Sequence, residues 1–331
     1  MLSKLRQFNG LKYLQSLWSN QTDHLFFPGL CSIGITPQEF CLAYARNEGG
    51  KIELQFVEIY PYKSTGLTET LSAIVKKHQL EGVRCTWVLP PEHYQSIVID
   101  ALPVNESEFQ AAARWKIKGA LQFPEDDIVI DRFLVPLKKT HDPHPMIAII
   151  AAQASFLQQY ATKIQASGLQ LRTIDIQELT LKNITSLYEN DEKTTALIYL
   201  RKSGSELIIS CQKELYFHRQ IDLTNQISHL DSQAFNSELD KTALELQRSF
   251  DYFQSQWRKP SPARILLATS GQSGVSIADY FAQHLAIPIE LLDIRSLLPS
   301  KQDLSLEEQA NYLPMIGGIL REEGAQHAAT N

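Results

Sequence analysis

Cysteine is scarce: four thiols (Cys31, Cys41, Cys85 and Cys211) are scattered through 331 residues, with no C-x-x-C pair. That excludes a disulfide framework and a cysteine-built zinc site, and it points to a reducing compartment. Long apolar runs are missing too. No stretch of about 18 apolar residues exists, so nothing reads as a membrane span. The G-x-G-x-x-G and P-loop fingerprints, the G-x-S-x-G elbow and the H-E-x-x-H zinc helix are all absent. Positive charge is in deficit: 31 Lys and Arg against 37 Asp and Glu leave a formal charge of −6 and a pI near 5.9. A nucleic-acid binder would normally carry a basic face, so nucleic acid is not an expected partner.

What is present suffices for two cores of roughly 150 residues each. Residues 1–28 read as an N-terminal amphipathic extension. Its apolar residues Leu2, Leu5, Leu11, Leu14, Leu17 and Trp18 are interrupted throughout, so no secretory signal is expected and the chain is expected in the cytoplasm. Lys4, Arg6 and Lys12 precede the first acid, Asp23. Either this helix packs on the body, or its cations and Trp18 rest on an anionic membrane surface.

From Cys31 onward the pattern predicts three strands in succession, the third being Lys51–Ile59. A helix follows near Leu67–His78, then the apolar strand Cys85–Leu89. The same order returns later: strands Ala196–Leu200, Glu206–Cys211 and Glu214–Ile221, a long helix Ser237–Trp257, and a strand Arg264–Ala268. Two β-β-β-α-β units imply a duplicated α/β architecture of mixed sheets covered by helices. Leu239, Ala243, Leu246, Phe250, Phe253 and Trp257 form one stripe of the long helix, expected to cover the second sheet.

Between the repeats lies an insert, 92–167, patterned β-α-β-β-α. Asn105 and Glu108 have capping-box spacing, and Phe109, Ala113, Ile117 and Leu121 recur at i, i+4. The expected division is therefore 1–28; 29–91 with 168–190; the insert 92–167; 191–310; and a C-terminal helix and tail, 311–331.

Individual clusters carry little chemistry. His141-Asp142-Pro143-His144 has metal-ligand residue types but sits in a proline-rich loop without cysteines or an acid cluster, so no metal site is expected. Glu125-Asp126-Asp127 suits a solvated turn better than acid–base work. Gly271-Gln272-Ser273-Gly274 follows a strand and precedes a helix, where a phosphate or merely a tight turn would fit.

Several stretches together resemble the PilM/MshI family of type IV pilus assembly proteins, within the FtsA/PilM superfamily. These are Leu102-Pro103, Glu108, Ala112, Gln122-Phe123-Pro124 and Asp131; Gly168-Leu169 with Ile174-Asp175; and Leu246-Gln247-Arg248-Ser249-Phe250-Asp251-Tyr252-Phe253. Pro288-Ile289-Glu290-Leu291-Leu292-Asp293 and Gly317-Gly318-Ile319-Leu320-Arg321 complete the series. The resemblance implies an actin-like (ribonuclease H-like) fold with a small α/β subdomain inserted in its first half. It also implies a place at the cytoplasmic face of a bacterial inner membrane, in an MSHA-like pilus platform. The implied partners are a PilN-like bitopic membrane protein, held by its cytoplasmic tail, and other pilus platform proteins.

The nucleotide turns depart from that family. Where its first turn reads G-I-D-I-G, this chain has Ser32-Ile33-Gly34-Ile35-Thr36, followed by Pro37. The acid that would serve Mg²⁺ is Gly34, and the glycine that would let phosphate approach is Thr36. The second turn, D-I-G, is Tyr199-Leu200-Arg201, and the third, G-G, is Thr269-Ser270. Such a chain is expected to be a scaffold without ATP, Mg²⁺ or hydrolysis. The alternative is a PilM- or FtsA-type ATPase holding nucleotide through Arg201 and Lys202. A tail-binding groove would suit the space between the first sheet and the insert, walled by Gln95–Ala101, the stripe with Phe109 and Ile117, and the turn Glu125, Asp126, Asp127; the alternative, favoured for these particular residues, is that Phe109 and Ile117 are ordinary core and the acids solvate a loop.

Overall fold

The computed structural model describes residues 29–63, 66–136, 145–189, 193–201, 204–223, 227, 231–271 and 273–321. The N-terminal extension, the His141–His144 loop, Lys202 and Gln272 lie outside these residues, as does the side chain of Glu125. The chain divides into two compact units: Met1–Val135 with His144–Thr180 and Pro314–Asn331, and Pro136–Pro143 with Leu181–Leu313.

In the first unit, strands β1 (Gly29–Ile35), β2 (Glu39–Glu48), β3 (Lys51–Pro61), β4 (Arg84–Leu89) and β8 (Gln170–Ile176) form one sheet, in the order β3-β2-β1-β4-β8. The hairpin strands pair antiparallel, and β4 and β8 join in parallel, as their crossovers require. Helix α1 (Leu67–Lys77) buries Leu67, Leu71 and Val75. A three-stranded sheet, β5 (Tyr94–Asp100), β6 (Ile128–Val135) and β7 (Met146–Gln153), in the order β5-β7-β6, builds the insert with α2 (Glu106–Ile117). The helix expected at the end of the insert, α3 (Ala154–Ala166), instead covers the main sheet. Its Phe156 and Tyr160 rings lie 6.0 and 5.8 Å from the ring of Trp87 on β4. Its buried residues are Leu157, Ala161 and Ile164.

The second unit repeats the topology strand for strand. Here β9 (Thr195–Leu200), β10 (Ser205–Cys211), β11 (Glu214–Ile221), β12 (Arg264–Thr269) and β13 (Ile289–Leu291) are ordered β11-β10-β9-β12-β13. Helix α5 (Ser232–Trp257) starts five residues before Ser237 because Asp231 caps it. That carboxylate accepts the backbone N–H groups of Gln233 and Ala234 at 3.0 and 2.9 Å. All six residues of its expected stripe are buried, and the Trp257 indole N–H closes on the Pro136 carbonyl at 3.0 Å.

Helix α4 (Gln177–Thr185) and helix α7 (Leu306–Ile319) each contain a boundary between the units, after Thr180 and after Leu313. The C-terminal segment, expected apart from both sheets, therefore contributes Pro314 onward to the first unit. Glycine is required there. A Cβ on Gly317 would lie 2.0 Å from the Thr180 carbonyl oxygen, and one on Gly318 would lie 2.3 Å from the Ser32 hydroxyl.

Candidate functional site

The three turns that the sequence assigns to a nucleotide in an actin-like fold are built by different means. After β1, Pro37 has no N–H to offer. The Thr36 N–H donates to the Glu39 carbonyl at 2.9 Å, and the Glu39 N–H donates to the Thr36 hydroxyl oxygen at 3.2 Å. Gln38 leans its N–H toward the same oxygen at 3.5 Å. The Tyr62 hydroxyl donates to the Thr36 carbonyl. A glycine at position 36 would present backbone donors to a phosphate; Thr36 consumes them within its own turn.

One residue pair inward, Gly34 leaves a space that Met315 of α7 fills. A Cβ at Gly34 would lie 2.6 Å from the Met315 methyl carbon and 2.8 Å from its sulfur. Where the resembling family would hold an acid toward a cation, this chain therefore holds a thioether. Met315 is 9% exposed, and the Ser32 hydroxyl points at its sulfur from 3.9 Å.

In the second unit, Tyr199 is 3% exposed at the end of β9. Arg201 donates to Glu206 Oε1 at 2.8 Å, and the Glu206 side chain is only 2% exposed. The Arg201 guanidinium also lies 5.4 Å from the centre of the Tyr199 ring, within cation–π range. His218 of β11 brings Nε2 to 3.5 Å from Glu206 Oε2. The side chain offered as a phosphate ligand under the ATPase alternative is thus committed to a buried carboxylate. The sequence reading missed Glu206. Its only signal is an acid in second place on a strand, Ser205–Cys211, every residue of which is buried.

After β12 the backbone N–H of Gly271 donates to the Thr269 hydroxyl at 3.3 Å. Helix α6 (Gly274–His284) starts beyond Ser273 without a side-chain cap. Thr269 is itself buried, while Ser270 is half-buried. Among the described residues no group of three or more His, Cys, Asp or Glu side chains could hold a metal ion.

The candidate tail groove is corrected. Phe109 and Ile117 are 2% and 1% exposed, in a core with Ala113, Ile130, Ile147 and Ile149. Their stripe is covered by the sheet of the insert, so they are no groove wall. Asp127 is structural as well. It accepts hydrogen bonds from the Ser155 backbone N–H at 2.8 Å, from the Gln153 amide at 2.9 Å and from the Ser155 hydroxyl. These bonds, the Ser155 hydroxyl first, hold its carboxyl below the ordinary aspartate range. Asp126 is exposed. What remains of the proposed wall is β5, an edge strand on which Val98 is 51% exposed.

No protein-family model matches the sequence, and no curated protein matches it. The chain is similar to the solved structure of a PilM–PilN type IV pilus biogenesis complex, at 15% identity and a TM-score of 0.66, over 88% of this chain and 97% of that one. It is also similar to the cytoplasmic domain of EpsL, an inner-membrane component of the type II secretion system of Vibrio cholerae. That match has 9% identity and a TM-score of 0.46, over 86% of this chain and 93% of that one. A third match, at 8% identity and a TM-score of 0.49, is a Bacteroides thetaiotaomicron protein of actin-like ATPase fold and unknown function, over 86% and 95%. Among the described residues no helix is long and apolar enough to cross a membrane. The repeated sheet order and the likeness to the PilM–PilN complex give this chain an actin-like fold.

Proposed function

We propose that the chain is a non-catalytic scaffold of a type IV pilus inner-membrane platform, of MSHA-like kind. In this reading it works at the cytoplasmic face and holds the cytoplasmic tail of a PilN-like bitopic protein. The observation that carries the non-catalytic part is the turn at Thr36, which bonds its own backbone donors while Met315 stands in the place of the acid. Mg²⁺–nucleotide needs at least one carboxylate near the cation and open N–H groups for its phosphates. The pairing of Arg201 with Glu206 supports the same conclusion from the second unit.

The partner part rests on the likeness to a complex that contains PilN, and on β5. An edge strand with an exposed apolar residue accepts an extended peptide as one more strand, with main-chain hydrogen bonds giving affinity. Isothermal titration calorimetry with Mg²⁺–ATP should show binding weaker than about 1 mM. Micromolar binding would replace the scaffold with the ATPase alternative. Separately, tail peptides of neighbouring bitopic pilus proteins should be retained by the full chain and lost with Val98→Arg. If no peptide binds at about 100 μM, the scaffold has no tether of this kind.

A further inference from the structure

Among the described residues Trp115 of α2 is the most exposed large apolar side chain, at 79%. The helix turns Phe109, Ala113 and Ile117 into the core of the insert. Trp115 stands two positions from both Ala113 and Ile117, roughly 200° around the helix, so it points away from that core. Tryptophan carries one of the largest apolar areas of any side chain, so burying the ring against a second surface is favourable. Ala111 and Gly119, four positions to either side, are small and exposed, and a Cβ on Gly119 would meet nothing within 4 Å. A flat surface can reach the ring between them.

The charge along this stretch is one-sided. Phe109 through Pro124 contain Arg114, Lys116 and Lys118 and no acid, in a chain of net charge −6. Arg114 donates to the Ile128 carbonyl at 2.6 Å, so the exposed Lys116 is the cation beside the ring. The acids of the helix stand at its other end and are engaged there. Glu106 pairs with Arg132 at 2.6 Å, and Glu108 accepts the Asn105 N–H at 3.4 Å. Both lie roughly 10 Å or more from Trp115 along the helix axis. One ring among lysine, alanine and glycine is too sparse for a protein interface, which buries about 800 Å² per partner around an apolar core and is depleted in lysine. The same residue types suit an anionic lipid surface, where indole rests at the headgroup level and lysine meets the lipid charge.

We infer that the outer face of α2, at Trp115 and Lys116, is a contact surface for an anionic membrane. This contact goes beyond the scaffold reading and does not need a bound tail. Ile97 and Ile99 of β5 pack against the core beneath α2, and Val98 alternates with them, so Val98 and Trp115 lie on opposite faces of the insert. One ring with one adjacent lysine binds weakly, with an apparent dissociation constant of about 1 mM lipid, against about 0.1 mM for a single myristoyl chain.

The test is cosedimentation of the full chain with vesicles of equimolar phosphatidylglycerol and phosphatidylcholine at low ionic strength. Phosphatidylcholine alone should retain it at least about tenfold less well. Trp115→Ser should weaken retention at least about tenfold, and Lys116→Glu, which reverses one charge, about twentyfold. Both positions are exposed, so the melting curves of the variants should match the wild type. Fluorescence then assigns the contact to this ring. Of the four tryptophans, Trp87 and Trp257 are buried, and Trp18→Phe removes the one in the N-terminal extension. In that background the emission should shift to shorter wavelength on vesicles and be quenched by brominated lipid, and adding Trp115→Phe should abolish both responses. Equal retention of the wild type and Trp115→Ser, or retention without a change in Trp115 emission, would overturn the inference. No retention on phosphatidylglycerol would also overturn it, and would leave the ring to a protein partner. Val98→Arg, the variant that tests tail capture, should not weaken vesicle retention; if it does, the contact belongs to β5 and the assignment to α2 falls.

Discussion

The two halves of this molecule repeat one topology and block the equivalent turn in opposite ways. After β1 the obstruction is largely main chain: the Glu39 carbonyl holds the Thr36 N–H and Pro37 has no donor, with the Thr36 hydroxyl on the Glu39 N–H and Met315 against Gly34 as side-chain additions. After β9 it is a pair of side chains, Arg201 on the buried carboxylate of Glu206. A turn closed by its own main chain survives most single substitutions, whereas a turn closed by one ion pair depends on both partners. Two copies of one topology need not hold the equivalent turn by the same means.

The largest effect should come from the side-chain-closed turn. Arg201→Ala takes the guanidinium from the buried Glu206 carboxylate and leaves it facing His218 at 3.5 Å; breaking a buried pair from one side costs about 3–5 kcal/mol, of which the histidine offsets a part. Arg201→Ala with Glu206→Gln should recover most of that loss in a urea melt. If the double variant is as unstable as the single, the pair is not what holds the turn.

Next comes the acid position. Gly34→Asp pushes on a flexible methionine, so about 1–3 kcal/mol is expected for overpacking. Combined with Met315→Ala it should cost less than the sum of the singles, by about 1 kcal/mol. Strict additivity would mean that the two side chains do not compete for that space. Thr36→Ala should cost only about 1 kcal/mol, because one hydroxyl is removed and the exposed turn lets water replace it. A loss as large as that of Arg201→Ala would erase the contrast between the two turns.

The smallest effect belongs to Asp293, whose pKa the hydrogen bond from Arg295 lowers to about 2. A lowered folded-state pKa stabilises above the ordinary carboxylate value near 3.8, and the gain disappears as pH falls from about 4 to about 2. The side chain is 38% exposed, so screening keeps this below about 1 kcal/mol. Asp293→Asn should therefore lower stability at neutral pH by less than about 1 kcal/mol, and the two proteins should converge as pH falls toward 2, which flattens the acid limb of the stability–pH curve.

Much of this was legible in the chain itself. The spacing of Leu239 through Trp257 announced a covering helix, and the β-β-β-α-β echo announced the duplication, because both are local periodicities. The stripe of Phe109 and Ile117 was equally visible, but an apolar face does not say what covers it, and the sheet of the insert does. Helix α3 was assigned to the wrong neighbour for the same reason. Departures from the family pattern at Gly34, Thr36, Tyr199 and Arg201 could be read; what packs against them could not. Met315 reaches Gly34 from 281 positions away, and Glu206 meets Arg201 only once β9 and β10 are paired.

The fit of Gly318 against Ser32, and of Met315 beneath the same strand, has a consequence for how the protein is made. The face of the first sheet that these residues cover leaves a ribosome well before its cover. Ser32 and Met315 are 283 residues apart, and at 5–20 residues per second the interval is on the order of 15–60 s. Throughout that time the α7 side of β1 and β4 stands bare in the nascent chain. Long-range closure of this kind slows folding and leaves apolar surface open to the wrong partner. The half of the molecule synthesised first is thus completed last, and chaperone attention should fall on it.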